Sequence, residues 1–148
     1  MTERWRPHVT VAAIIERAGR FLLVEERTRQ GLRLNNPAGH LEPGETLVQA
    51  CAREVREETA HAFRPTHLVG VYLSEPGPEG ITYLRFAFCG ELGDAIPGQA
   101  LDQGIIRTVW MTADEVRASA PRHRSGAVLR CLRDYLGGAR HPLSILSP

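Results

Sequence analysis

Between Gly39 and Glu58 the chain reads GHLEPGETLVQACAREVREE. Glu54, Glu57 and Glu58 close this run, and a capping-box pair, Thr46 with Gln49, opens a helix ahead of them. At 100° per residue, Leu47, Val48, Cys51 and Val55 share a sector about 100° wide, the width of a core-facing stripe. Glu58 projects into that sector, Glu54 lies beside it and Glu57 one step further round, while Arg56 takes the solvent side. Carboxylates so placed repel one another, and burial pushes their pKa values upward. Acids at a helix C-terminus also oppose its dipole. A hard divalent cation removes both conflicts. Clustered oxygen ligands without a Cys or His set favour Mg²⁺ or Mn²⁺ over zinc. The competing account is a solvated face held by pairs such as Arg53 with Glu57 at i,i+4, and it fits poorly with Glu54 and Glu58 turned toward the apolar stripe. The planar fork of Arg53 suits a supporting role, holding Glu45 and a helix carboxylate in orientation.

The elements that must position this helix read as an α/β/α sandwich around a mixed β-sheet. His8–Ile15 and Arg20–Glu26 form strands around an Ala18-Gly19 turn, and Thr28–Pro43 is mostly loop around a short extended piece. The acidic helix runs to about Ala60, and Pro65 closes that region. Strands follow at His67–Ser74 and Ile81–Gly90, separated by the turn-forming stretch from Glu75 to Gly80. A Gly/Pro loop from Leu92 to Gly104 precedes a strand at Arg107–Met111. Thr112 and Glu115 make a second capping box, opening a helix that stops before Pro121. The last helix, Gly126–Leu136, ends at Gly137-Gly138.

The 148 residues, 43% of them hydrophobic, read as a single domain, 1–148, able to bury a core without disulfides or structural metal. A net charge of +1 gives no field for nucleic acid or an acidic membrane surface, so any anionic ligand must be handled locally. All eighteen basic residues are arginine, which excludes lysine Schiff-base chemistry and suits bidentate phosphate binding. Cys51, Cys89 and Cys131 are widely spaced in apolar stretches and read as reduced core thiols of a cytoplasmic protein. Neither an export signal nor a membrane span is expected.

These residues resemble the Nudix box: Gly, five residues, Glu, seven residues, Arg-Glu, an aliphatic, any residue, Glu-Glu, any residue, Gly, an aliphatic. Gly39, Glu45, Arg53, Glu54, Val55, Glu57 and Glu58 match it. The fixed matches would arise by chance in fewer than about one chain in 10⁴. Ala60 stands in place of the glycine and His61 in place of the aliphatic, which touches the loop geometry and not the carboxylates. The stretches RPHVTVAAII, NNPAGHLEPGETLVQA, ITYLRFAF and HPLSIL are similar to the bacterial NudJ-type phosphatases of that family. The resemblance implies Mg²⁺-dependent hydrolysis that releases orthophosphate from nucleoside tri- and diphosphates, and from hydroxymethylpyrimidine or thiamine pyrophosphate. The alternatives are a nucleotide-pool-cleaning or ADP-ribose pyrophosphohydrolase and, from another class, an inactive nucleotide-binding regulator. The protein is expected as a monomer or homodimer.

Glu57 and Glu58 are the first-choice metal ligands, and the resemblance adds the backbone carbonyl of Ala38. Glu54 binds a second ion or accepts a proton from the attacking water; helix spacing does not separate the two. The family also implies an acid from a loop outside the box, with Asp102 the first candidate and Glu91 the second. Arg27, Arg33 and Arg85 are candidate phosphate contacts. Arg85 stands in an apolar strand, where an unpaired charge is expensive, so a structural ion pair is the competing role. Tyr72, Tyr83, Phe86 and Trp110 are candidates for stacking on a heterocycle, against an ordinary place in the core. His40, inside the box, either touches phosphate or makes a local hydrogen bond.

Overall fold

The computed structural model describes residues 2–147. Strand β1 (His8–Ile14) is apolar on both faces: Val11 and Ala13 point one way, Ala12 and Ile14 the other, and all are buried. That pattern belongs to a strand covered by a layer on each side. It pairs antiparallel with β5 (Ala38–His40) and parallel with β7 (Tyr83–Ala95). β7 pairs with β6 (His61–Leu73), and β6 with the short β9 (His141–Pro142). The result is a mixed sheet in the order β5-β1-β7-β6-β9. A second, antiparallel sheet is built on β3 (Arg20–Thr28), which pairs with β2 (Glu16–Arg17), β4 (Gly31–Asn35) and β8 (Ile105–Thr112).

Helix α1 (Leu47–Thr59) sets Ala50, Cys51 and Val55 against Val11, Ala13, Leu22 and Phe88. On the other face α3 (Ala127–Leu136) sets Val128, Cys131 and Leu132 against Ala12, Ile14, Phe21 and Ala87, joined by Val116 of α2 (Ala113–Ala118). This is the expected α/β/α sandwich, with its strands divided between two sheets. No helix among the described residues is long and apolar enough to cross a membrane.

Several elements depart from the sequence reading. The stretch from Thr28 to Pro43, expected as mostly loop, holds β4 and β5, because strands of three to five residues fall below what composition signals. Pro65 lies inside β6 and does not close the region ahead of it; the register shifts beside it, so the missing N–H sits at a bulge. β7 runs on to Ala95 through residues expected as loop. The capping box at Thr46 forms as expected, with Gln49 N donating to Thr46 Oγ1 at 3.1 Å and Thr46 N to Gln49 Oε1 at 2.9 Å.

At its far end α1 stops on Ala60, which adopts φ 58°, ψ 32°. This is the left-handed cap that a glycine makes without steric cost. Ala60→Gly is therefore expected to stabilise the protein by roughly 0.5–1 kcal/mol, read as a rise in the urea midpoint at constant m-value. An unchanged midpoint would mean that the cap carries no strain.

Candidate active site

The carboxylates of Glu54 and Glu57 on α1 meet that of Asp102, with one oxygen from each lying within 4.8 Å of the others. Asp102 reaches the helix through the backbone: its N–H donates to the Glu57 carbonyl at 2.8 Å, and Ile96 N–H to the Ala60 carbonyl at 2.8 Å. Two carbonyls left open at the helix end are thereby satisfied, and the loop between β7 and β8 is strapped across the acids. The second candidate, Glu91, pairs instead with Arg64 at 2.7 Å on the surface. Glu58 is buried one turn from Glu54, and its Oε1 accepts the Ala38 N–H at 2.9 Å.

Arg53 binds this group together. Its Nε and Nη2 grip Glu45 at 2.9 and 2.7 Å, Nη1 reaches Glu54 at 2.8 Å and Glu57 at 3.2 Å, and Nη2 also donates to the His40 carbonyl at 2.9 Å. The hydrogen bonds from Arg53 hold the Glu45 carboxyl below its ordinary range. Burial works the other way on the helix acids. It lifts Glu54 to about 7 in spite of Arg53, and Glu58 to about 8 in spite of the Ala38 N–H. Neighbouring charges add to both, those of Glu57 and Asp102 on Glu54 and those of Glu54, Glu26 and Asp102 on Glu58. A crowded set of oxygen donors, two of them held above the usual carboxylate range, fits a hard divalent cation.

A cavity of about 840 Å³ opens beside the box and takes Ala38, Gly39 and His40 into its wall. α1 lies against the opposite face of the sheet and meets the cavity at the β5 edge, where Gly39 touches the Glu54 carboxylate. Among the phosphate candidates, Arg27 and Arg85 line this cavity and Arg33 does not; Arg33 donates to the Leu32 carbonyl at 3.0 Å. Arg85 makes no ion pair with any described residue. Its partners are the amide oxygens of Asn36 and Asn35, each at 3.0 Å, and the thiol of Cys131 at 3.9 Å. Tyr72 and Tyr83 line the cavity, whereas Phe86 and Trp110 pack on the core under α1. His40 accepts or donates to His8 at 3.0 Å, and both rings stand edge-on or tilted to Tyr83.

Sequence reasoning missed Asn35, Asn36 and Thr10. Asparagines next to a proline read as turn formers, and nothing local marks them as partners of a residue about 50 positions away. The one available signal was Arg85 itself, since a cation in an apolar strand must find acceptors somewhere.

Residues 5–130 match the NUDIX domain family. The chain belongs to the Nudix hydrolases. It is 39% identical over 142 residues to Phosphatase NudJ of Escherichia coli strain K12, covering 96% of this chain and 92% of that protein. A solved NUDIX hydrolase from Nitrosomonas europaea is 49% identical, with a TM-score of 0.93 over 97% of each chain. The E. coli ORF135 protein, 22% identical with a TM-score of 0.70 over 89% of this chain and 90% of that one, shares the fold. As a Nudix hydrolase the protein acts on phosphoanhydrides, and the acids of α1 are its box carboxylates.

Proposed function

We propose that this Nudix hydrolase is a Mg²⁺-dependent phosphatase, with Mn²⁺ as a substitute ion. In this reading it releases orthophosphate from nucleoside tri- and diphosphates and from hydroxymethylpyrimidine or thiamine pyrophosphate. The observation that carries this reading is the arginine-lined cavity opening on the box at Ala38–His40. The similarity to Phosphatase NudJ supports it. Glu54, Glu57 and Glu58, with the Ala38 carbonyl and Asp102, would hold the cation, which supplies charge neutralisation to the phosphate oxygens.

The chain's own groups do the rest. Arg53 is a positioning residue: it fixes Glu54 Oε1 and Glu57 Oε2 so that neither carboxylate rotates away. That leaves Glu54 Oε2, which makes no bond to Arg53, to take a proton from the attacking water. Arg27 and Arg85 draw the phosphate chain into the cavity, and a heteroaromatic ring packs against the patch formed by Tyr83, His8 and His40. The substrates are small molecules, handled as monomer or homodimer in a reducing cytoplasm that keeps the three buried cysteines free.

Product analysis tests the reading. With Mg²⁺, ADP and hydroxymethylpyrimidine pyrophosphate are expected to yield orthophosphate and a monophosphate, and EDTA is expected to stop the reaction. Cleavage of ADP-ribose to two monophosphates, with no orthophosphate from any of these compounds, would instead make the chain a pyrophosphohydrolase of the ADP-ribose kind.

A further inference from the structure

Arg85 is 8% exposed, near the start of β7, yet no carboxylate of a described residue pairs with it. A buried guanidinium held only by neutral acceptors keeps its full charge while losing its hydration, an expensive arrangement unless an anion completes it. The hydrogen bonds show which part is left over. Nη1 donates to Asn36 and Cys131 and Nη2 to Asn35, so of the five guanidinium donors Nε–H and one Nη2–H take no described acceptor. No fully buried side-chain nitrogen or oxygen among the described residues lacks a partner, so Nε, which has none, is not sealed in the core, and Arg85 lines the cavity.

The surroundings are built to keep this edge in place. Asn35 and Asn36 are 8% and 5% exposed, and they clamp the guanidinium from the side of β4. Thr10, Arg85 and Tyr72 stand side by side on β1, β7 and β6, with His40 beyond Thr10 on β5. All four line the cavity. The row thus runs from the box at the β5 edge to Arg85, two strands and about 10 Å further in. The nearest acid in the Tyr72 network, Asp134, already accepts from Tyr72 Oη at 2.8 Å and pairs with Arg133 at 3.4 Å.

We propose that Arg85, forked by Asn35 and Asn36, reads the free terminal phosphoryl group of the substrate and so selects pyrophosphates substituted at one end only. Buried Asn35, Asn36 and Cys131 take up Nη1 and part of Nη2, and buried Tyr72 stands beside Arg85, so an anion meets the guanidinium only at its remaining N–H groups. A terminal phosphoryl group presents more charge and more free oxygens to these N–H groups than an internal phosphodiester does. This rests on the phosphatase reading above and deepens it, since an end-on grip at Arg85 leaves the adjoining anhydride toward the box.

The test compares kcat/KM on ADP with kcat/KM on ADP-ribose, whose pyrophosphate is substituted at both ends. The wild-type preference for ADP is expected to fall roughly 30-fold or more in Arg85→Gln. Arg85→Lys, which keeps the charge and loses the fork, is expected to fall between the two. Because the readout is a ratio within one sample, partial misfolding of a variant lowers both values and leaves it unchanged. A second readout needs no catalysis: in EDTA, inorganic pyrophosphate is expected to raise the melting temperature of the wild type and not of Arg85→Gln. An unchanged ratio, or equal pyrophosphate protection of both proteins, would overturn the role of Arg85. If the wild type cleaves neither compound, the phosphatase reading fails, and the EDTA experiment still decides whether Arg85 binds a terminal phosphate.

Discussion

Replacing Glu58 by glutamine is expected to lower kcat on the order of 10³-fold while leaving the metal-free fold intact. The side chain is 7% exposed, and burial lifts its carboxyl to about 8, so without a cation it is largely protonated at neutral pH. Glutamine copies that neutral form in size and keeps an oxygen to accept the Ala38 N–H. What it cannot do is become an anionic ligand. The pH dependence follows from the same shifts. Glu54 and Glu58 bind protons more tightly folded, at about 7 and about 8, than unfolded, at about 4.3. Their contribution to metal-free stability is therefore full below the unfolded value and is lost as pH rises through the folded ones. Glu58→Gln is expected to flatten the upper part of that decline, seen in melting temperatures in EDTA between about pH 6 and 9. Added Mg²⁺ should raise the wild-type melting temperature more than that of the variant. Turnover within tenfold of wild type, with unchanged Mg²⁺ affinity, would remove Glu58 from the site.

The orientation behind that expectation was readable in the sequence, because helical periodicity is a strong local signal. Projection alone put Glu58 and Glu54 toward the core and Arg56 outside, and those residues are buried, buried and exposed. The capping box fixed the start of α1 equally well. What periodicity does not carry is approach in space. Asp102 comes to Glu54 and Glu57 through two backbone hydrogen bonds between the 96–102 loop and the helix end, and a backbone donor leaves no trace in residue type. Arg33 and Arg85 were both candidate phosphate contacts, Arg85 marked out by its apolar strand, and Arg85 lines the cavity while Arg33 does not. Strand register places Arg85 beside Thr10 within the cavity wall, whereas Arg33 turns its guanidinium back onto the Leu32 carbonyl. The short strands β4 and β5 were missed for a related reason: they are held by pairing with β3 and β1, not by propensity.

The other large effect is expected at Gly39, where the backbone and not a side chain is the constraint. Gly39 pairs with Val11 on β1, and it is not one of the glycines with positive φ, so alanine has no conformational objection there. Space is the objection: a Cβ would stand 2.2 Å from the Glu54 carboxylate, far inside any real contact. The strand cannot yield without breaking its pairing, so the carboxylate must swing away. That motion breaks the 2.8 Å bond from Arg53 Nη1 and takes Glu54 out of the group it forms with Glu57 and Asp102. Gly39→Ala is therefore expected to lose activity on the order of 10²- to 10⁴-fold. Stability should move by less than about 2 kcal/mol, because a carboxylate that burial disfavours is released toward water. The pairing with Glu54→Gln isolates the cause. If the clash acts through Glu54 alone, the double variant is no less active than Glu54→Gln, and the two substitutions are strongly non-additive. Additive losses, or a Gly39→Ala enzyme within tenfold of wild type, would mean that the position of Glu54 is not what this glycine protects.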